Sequence, residues 1–116
     1  MKPRYLLLCS LILLACTSVR AQKPSAYTTV NDISYRPQTT DAYASKRCKL
    51  DLYHPTDSTN FATIVYFHGG GLEFGNKHFI DAWKEKGVAV ATANYRLHPK
   101  VKNPVYTQDA AAAVAW

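Results

Sequence analysis

The clearest structural signal in this chain is the stretch TIVYFHGGG, residues 63–71. Residues 62–67 form a continuous apolar run, which is typical of a strand covered on both faces. The three glycines after His68 let the backbone turn sharply and direct its N–H groups toward an incoming anionic oxygen. Enzymes of acyl transfer stabilise their tetrahedral intermediate with such N–H groups, so the stretch predicts half of an active site. A plain flexible turn is the alternative, although such turns rarely need three adjacent glycines.

Two other kinds of glycine-rich site do not fit these residues. A phosphate-binding loop needs Lys and then Ser or Thr directly after its last glycine, but Asn76 follows Gly75. A dinucleotide site needs the pattern Gly-x-Gly-x-x-Gly, but in this chain Gly75 follows Gly71 by four residues rather than three. Such a site also needs an acidic residue after the next strand, where this chain has Asn94. We therefore expect no nucleotide cofactor, and the sequence indicates no other cofactor.

The residues after the glycines predict a parallel crossover. Asn76 can cap a helix that ends at Gly87. The expected buried positions of this helix are Phe79, Ile80 and Trp83. Residues 88–93 are apolar throughout and predict a second buried strand. Strand, helix and strand in this order form a right-handed parallel unit.

A second helix is predicted to open at Asn103-Pro104, with proline at its first position. Its expected apolar stripe consists of Tyr106, Ala110, Ala113 and Val114. No Gly, Asn or Pro ends the helical pattern before Trp116, and the chain contains no Gly-x-Ser-x-Gly. We expect residues 33–116 to be the N-terminal part of a larger α/β domain that is truncated before its nucleophile.

Upstream of the glycines the pattern changes to alternation, which predicts half-buried strands. Residues 27–36 form the first expected strand, residues 37–45 a polar turn, and residues 47–54 the second strand. In the second strand Cys48 and Leu50 share the apolar side. The predicted order is an antiparallel hairpin followed by parallel strand-helix-strand-helix, which places the chain in the α/β class.

The first 21 residues have the charged, apolar and small-residue order of a secretory signal peptide, with cleavage after Ala21. Residues 22–32 are then a linker and the start of the first strand. Cys16 ends a stretch that resembles a bacterial lipobox, so lipidation at Cys16 is the alternative to simple cleavage. The mature protein is expected to be exported, either periplasmic or secreted, or else anchored to the membrane by that lipid.

The charge, cysteine and histidine patterns exclude several function classes. Removing residues 1–21, with their three basic side chains, lowers the formal net charge from +6 to +3. No clustered basic stripe remains, so we expect no nucleic-acid partner. Cys48 is then the lone thiol and is expected to be a small packing residue. The histidines outside the glycine stretch lack metal-ligand spacing, so no metal site is predicted; they are His54, His78 and His98.

Three stretches together resemble one enzyme family. They are HGGG at residues 68–71, NYRLHP at residues 94–99, and LDLYHP at residues 50–55; Pro104, Asp109 and Trp116 extend the match. Their combination and order are similar to the α/β-hydrolase fold, and most of all to carboxylesterases related to hormone-sensitive lipase and to the bifunctional deacetylase/feruloyl-esterase group. The resemblance covers residues 33–116.

The resemblance implies roles for the matching residues. The backbone N–H groups of Gly70 and Gly71 would form the oxyanion hole, while His68 and Gly69 would support the loop. Arg96 and Asp109 are expected to make an internal ion pair or loop contacts behind the site. The nucleophilic serine, the acid and the histidine of the family all follow this region, so no triad residue is assigned in this chain. Many relatives carry Asp where this chain has Asn94.

These observations favour an exported serine carboxylesterase that acts on acyl esters of small molecules or carbohydrates. Two alternatives stay open at this stage. One is a truncated non-catalytic product or surface lipoprotein, and the other is a peptidase of the same fold. Acyl and alcohol specificity is not encoded in the residues that carry the resemblance.

Overall fold

The computed structural model describes residues 23–24 and 26–116. Their strands and helices are β1 (Tyr27–Ser34), α1 (Ala42–Arg47), β2 (Lys49–Pro55), β3 (Thr63–Phe67), β4 (Ala89–Ala93) and α2 (Val105–Ala115). The predicted signal peptide at residues 1–21, with Cys16, lies outside the described residues. Within the described residues, no helix has the length and apolar character needed to cross a bilayer.

The four strands form one mixed sheet in the order β1-β2-β4-β3. β2 runs antiparallel to β1 and to β4, whereas β3 and β4 are parallel and pair Val65 with Ala91. The antiparallel pairing of the first two strands and the parallel pairing of β3 with β4 are therefore confirmed. All five residues of β4 are buried, as an apolar central strand requires. β3 is only half-buried, because within the described residues it ends the sheet.

The main core lies on the sheet face covered by α1 and α2. Its buried residues are Tyr35, Ala44, Cys48, Leu50, Ala93 and Ala113. The side chain of Cys48 is fully buried in this cluster, and burial raises the pKa of its thiol. The prediction that Cys48 is a packing residue is confirmed.

The segment between β3 and β4 corrects the predicted helix over residues 76–87. Residues 75–80 form no helix or strand, Asp81–Trp83 form one 3-10 turn, and turns and bends follow up to residue 88. Side chains from β4 and from the residue after it bind two backbone donors of this segment: the N–H of Lys77 donates to Oδ1 of Asn94 (2.7 Å), and that of His78 donates to Oγ1 of Thr92 (3.1 Å). In a helix that begins after Asn76 these N–H groups lie in the first turn, where they have no acceptor within the helix. Contacts with the sheet satisfy them instead, so local helix propensity does not decide the structure of this segment.

The apolar residues expected on that helix still pack against the sheet. The ring of Phe79 lies 6.1 Å from that of Tyr53, and the ring of Trp83 lies 5.4 Å from that of Tyr66, both edge to face. This segment therefore covers the sheet face opposite α2. Phe79, Ile80 and Trp83 are half-buried rather than fully buried, so the prediction that they are buried is only partly met.

Helix α1 occupies residues 42–45 of the polar turn predicted at residues 37–45. Asp41 caps α1, since its Oδ1 accepts the N–H groups of Tyr43 (2.8 Å) and Ala44 (3.2 Å). The next strand consequently begins at Lys49 rather than at residue 47, and Arg47 closes the helix. The two antiparallel strands are thus joined through a short helix instead of a simple turn.

Helix α2 begins one residue later than predicted, at Val105, with Pro104 as its N-cap. Asp109 and Ala113 are its buried positions, whereas Val114 is 63% exposed and was wrongly expected to be buried. The helix is rich in alanine and apolar on several sides, so its sequence does not single out one stripe. The spacing of four residues between Asp109 and Ala113 places them on one face.

The carboxylate of Asp109 joins α2 to the rest of the fold. Arg96 donates to both of its oxygens, from Nη2 at 2.7 Å and from Nε at 2.8 Å, and Nε of Arg36 lies 3.0 Å from Oδ1. Arg96 also donates from Nη1 to Oδ2 of Asp41 (2.7 Å), the cap of α1. The ion pair, one of the two arrangements expected for Arg96 and Asp109, is confirmed. Burial opposes ionisation of Asp109, but the bonds and charges of the two arginines outweigh it and hold its pKa below the usual value.

Replacing Asp109 by Asn should destabilise the fold by about 3 kcal/mol, because the mostly buried guanidinium of Arg96 then loses its carboxylate. The difference in the free energy of unfolding between the wild type and Asp109→Asn is fully present above the pKa of an unfolded aspartate, about 3.9. It should shrink as the pH falls through the depressed folded pKa, because protonation removes the same charge. Urea unfolding followed by circular dichroism at neutral and acid pH measures both effects.

The matched control is Asp81→Asn, which breaks an ion pair with Lys84 on the surface, where Asp81 is 91% exposed. Such a pair contributes little to stability, so the urea midpoint should not change measurably. Equal midpoints for Asp109→Asn and Asp81→Asn would contradict the role assigned to Asp109.

Candidate active site

The glycine loop, residues 68–75, begins where β3 ends. Gly70 and Gly71 have φ angles of 126° and 63°, in the region that favours glycine. The carbonyl of Gly70 accepts the N–H groups of Glu73 (3.1 Å) and Phe74 (3.2 Å), which closes a tight turn. A Cβ added at Gly70 would collide with the carbonyl of Phe74, so both the backbone angle and the available space require glycine at this position.

The N–H directions of Gly70 and Gly71 follow from the carbonyls in the same peptide planes. In a trans peptide the C=O and N–H bonds point in opposite directions. The carbonyl of Gly69 lies 2.8 Å from Nδ1 of His68, so the N–H of Gly70 points away from that ring. The carbonyl of Gly70 points into the turn, so the N–H of Gly71 points out of it. Within the described residues no group accepts a hydrogen bond from either N–H, which leaves both available to an anion.

His68 lies inside the loop, with only 3% of its surface exposed. Its ring stacks on Tyr95 at a centroid distance of 4.7 Å, and the hydroxyl of Tyr95 donates to the His68 carbonyl at 2.8 Å. A Cβ added at Gly75 would collide with the His68 ring, so the loop closes tightly over the imidazole. Burial, with a further effect of the Arg47 charge, lowers the pKa of His68, and the ring is neutral at pH 7. These contacts suit a residue that supports the loop rather than a general base.

Arg47 is the residue of this site that the sequence analysis missed. Its guanidinium donates to the carbonyls of Tyr95 (3.0 Å) and Gly75 (3.1 Å) and to Oδ1 of Asn76 (2.8 Å), and Nη2 lies 3.4 Å from Nε2 of His68. The sequence analysis placed Arg47 at the start of the predicted second strand, residues 47–54, and gave it no role in the site. The available signal was the cap at Asp41, which places Arg47 in the last turn of a helix.

The stretch after β4 holds the loop from two sides. Tyr95 contacts His68 at the start of the loop, and the N–H of His98 donates to the carbonyl of Leu72 (2.8 Å) in its turn. Asn94 lies just before these residues and binds the backbone of Lys77. The sequence stretch NYRLHP therefore supports the glycine loop, and Asn94 contributes through its side-chain oxygen.

An open apolar cavity of about 330 Å³ lies beside the loop. It is lined by Phe67, Leu72, Tyr95, Tyr106, Thr107 and Ala110. Leu72 belongs to the glycine loop and Tyr95 contacts His68 in it, so the cavity adjoins the loop. The site thus combines two available N–H donors with apolar surface.

The other histidines lie apart from one another. Nδ1 of His54 contacts the carbonyl of Pro55 (2.8 Å), His78 packs edge to face on Tyr66, and His98 lies 3.5 Å from a carboxylate oxygen of Glu73. Among the residues that the structure describes, no group of three or more potential ligands is placed to hold a metal ion.

Comparison with known proteins places this geometry in a family. The BD-FAE family model matches residues 50–116, more than half of the chain. The chain is 36% identical over 67 residues to Lipase 2 of Moraxella sp. and 30% identical over 69 residues to carboxylic ester hydrolase LipN of Mycobacterium tuberculosis. These matches cover 51% and 55% of this chain but 15% and 18% of those proteins.

A third curated protein, the FAD-linked oxidoreductase pytB of Aspergillus terreus, is 31% identical over 75 residues. That match covers 60% of this chain and 9% of the oxidoreductase. The chain therefore spans less than a fifth of the length of each of these relatives.

Solved esterases share the fold. Esterase B from Lactobacillus rhamnosis, solved with a tributyrin phosphonate, superposes with a TM-score of 0.64 at 27% identity, over 82% of this chain and 31% of its own. A truncated carbohydrate esterase from gut microbiota gives a TM-score of 0.58 at 25% identity, over 82% and 33%. Together the family model, the curated esterases and these structures show that the chain belongs to the BD-FAE family and has the mixed sheet of an α/β-hydrolase esterase.

Proposed function

We propose that this chain provides the oxyanion hole of an exported serine carboxylesterase. The observation that carries the proposal is the pair of N–H groups at Gly70 and Gly71, for which the described part of the chain offers no acceptor, in a loop next to an apolar cavity. Membership of an esterase family supports the reaction class, and the signal-like residues 1–21 support export.

The mechanism follows from where charge develops. A serine supplied by sequence beyond the glycine loop attacks the ester carbonyl, and a histidine takes its proton. Negative charge then forms on the carbonyl oxygen, where the N–H groups of Gly70 and Gly71 donate to it. His68 takes no part in proton transfer, because its Nδ1 is bound to the Gly69 carbonyl and its Nε2 faces Arg47.

The substrate class that we propose is an acyl ester of a small molecule or of a carbohydrate. The apolar walls of the cavity, among them Phe67 and Leu72, suit an uncharged acyl or alcohol group. The carbohydrate esterase among the structural neighbours supports a sugar-linked ester. Export implies that such an ester lies outside the cytoplasm, and lipid anchoring at Cys16 is the alternative to free release.

Replacing Gly70 by Ala should lower kcat by about 10²- to 10³-fold, because the new Cβ collides with the carbonyl of Phe74 and the turn must open, displacing an oxyanion donor. The measurement is steady-state hydrolysis of a short activated ester by the full-length esterase, expressed from the coding frame continued past Trp116.

The matched control for Gly70→Ala is Gly87→Ala. Gly87 also has a positive φ, of 82°, but its added Cβ would come no nearer than 3.7 Å to Pro24, away from the loop. This variant should lose some stability and keep its turnover per folded molecule. Wild-type kcat in Gly70→Ala would refute the oxyanion assignment.

The 116-residue chain by itself should not hydrolyse the same ester, because it lacks the Gly-x-Ser-x-Gly nucleophile motif. The full-length esterase should hydrolyse it, and a serine-directed phosphonate should abolish that activity. Saturable, phosphonate-sensitive hydrolysis by the 116-residue chain would contradict the proposed division of the active site. A stop codon directly after Trp116 would favour the non-catalytic alternative.

A further inference from the structure

We propose that Arg47 is a positioning residue of the oxyanion hole, which fixes the tautomer and ring orientation of His68 and, through the Gly69 carbonyl, the direction of the Gly70 N–H. This inference rests on the function proposed above, because it explains how the donors are held. It concerns a side chain on α1, a helix that contributes no residue to the glycine loop itself.

Each of the three guanidinium nitrogens of Arg47 donates to a separate acceptor. These acceptors come from two separate segments: Gly75 and Asn76 follow the turn of the loop, and Tyr95 follows β4. His68 completes the set at the start of the loop. A guanidinium presents five donors in a rigid plane, whereas an ammonium is a compact point charge, so lysine cannot make these contacts together.

The tautomer of His68 follows from its two neighbours. A guanidinium only donates hydrogen bonds, so Nε2, which faces Nη2 of Arg47 at 3.4 Å, must offer its lone pair. The proton of the neutral ring is then on Nδ1, which donates to the Gly69 carbonyl at 2.8 Å. That carbonyl shares a peptide plane with the Gly70 N–H, so its direction sets the direction of the donor.

The charges that face His68 support the same assignment. Arg47 approaches from α1, His78 from the segment before β4, and the neutral phenol of Tyr95 stacks on the ring. Burial and the charge of Arg47 both lower the pKa of His68, and the bond to the Gly69 carbonyl raises it. A protonated ring would put a cation against Arg47 and change the hydrogen bond at Nε2, so the arginine keeps the imidazole neutral.

The first test uses the full-length esterase and ¹⁵N NMR of the His68 ring. In the wild type, Nδ1 should carry the proton and Nε2 should be bare, and the ring should stay neutral until the pH falls below the usual histidine range. Arg47→Gln should raise the apparent pKa of His68 and give a mixed tautomer pattern. Lys46→Gln, the exposed neighbour on α1, is the control and should leave both unchanged. An unaltered ring pattern and titration in Arg47→Gln would overturn the inference.

The second test uses the full-length esterase. Arg47→Gln should lower kcat by about tenfold or more while KM stays within about twofold, because the donors are misdirected and the cavity is not. Arg47→Lys should not restore kcat, since it keeps the charge but loses the planar set of donors. If Arg47→Gln folds poorly, Arg47→Lys gives the same readouts in a milder background, and wild-type kcat and ring shifts in that variant would also overturn the inference.

The two proposals fail in different ways. If Gly70→Ala keeps full activity while Arg47→Gln still changes the His68 ring, the oxyanion function fails and Arg47 is left as a support of the loop alone. If Gly70→Ala loses activity and Arg47→Gln keeps wild-type kcat, the positioning role fails and the oxyanion function stands.

Discussion

The hydrogen bond between the buried ring of His68 and the carbonyl of Gly69 is the contact on which the rest of the site depends. A peptide plane is rigid, so fixing a carbonyl on one side fixes the next N–H on the other. The same constraint applies one residue later, where the N–H groups of the turn hold the carbonyl of Gly70. The N–H groups of Gly70 and Gly71 are therefore already oriented before a ligand binds, although glycine has no side chain to hold them. Preorganised donors of this kind cost no reorganisation during a reaction.

The fold keeps this bond in place by bringing three separate segments to the end of β3. Helix α1 contributes Arg47, the stretch after β4 contributes Tyr95, and the segment after the loop is held through Asn94. The buried carboxylate of Asp109 on α2 binds Arg96, the residue next to Tyr95, and Arg96 in turn contacts the cap of α1. The ion pairs of Arg96 therefore hold the two segments that contact His68: the stretch with Tyr95, and the helix with Arg47.

The parts of the fold that depend on local pattern could be predicted from the sequence. The apolar runs gave β3 and β4 and their parallel pairing, and the three glycines marked the loop that the structure places directly after β3. The pairing of Arg96 with Asp109 was also predicted, although from a family resemblance rather than from spacing.

The parts that depend on distant partners could not be predicted. The segment after the loop has the apolar spacing of a helix, but Asn94 and Thr92 bind its backbone, and no α-helix forms there. Arg47 was assigned to the start of a strand, and its role could not be foreseen because its acceptors lie 21 to 48 residues away along the chain. A short helix capped by Asp41 was within reach of sequence reasoning, and missing it also hid the position of Arg47.

The most direct test of the central claim is a crystal structure of the esterase proposed above with a phosphonate bound covalently to its serine. The phosphonyl oxygen occupies the place of the oxyanion, so the account predicts that it lies about 2.7–3.1 Å from the backbone nitrogens of Gly70 and Gly71. The His68 ring should still contact the Gly69 carbonyl in that complex. A phosphonyl oxygen bound by other donors, with both glycine N–H groups turned away from it, would contradict the account.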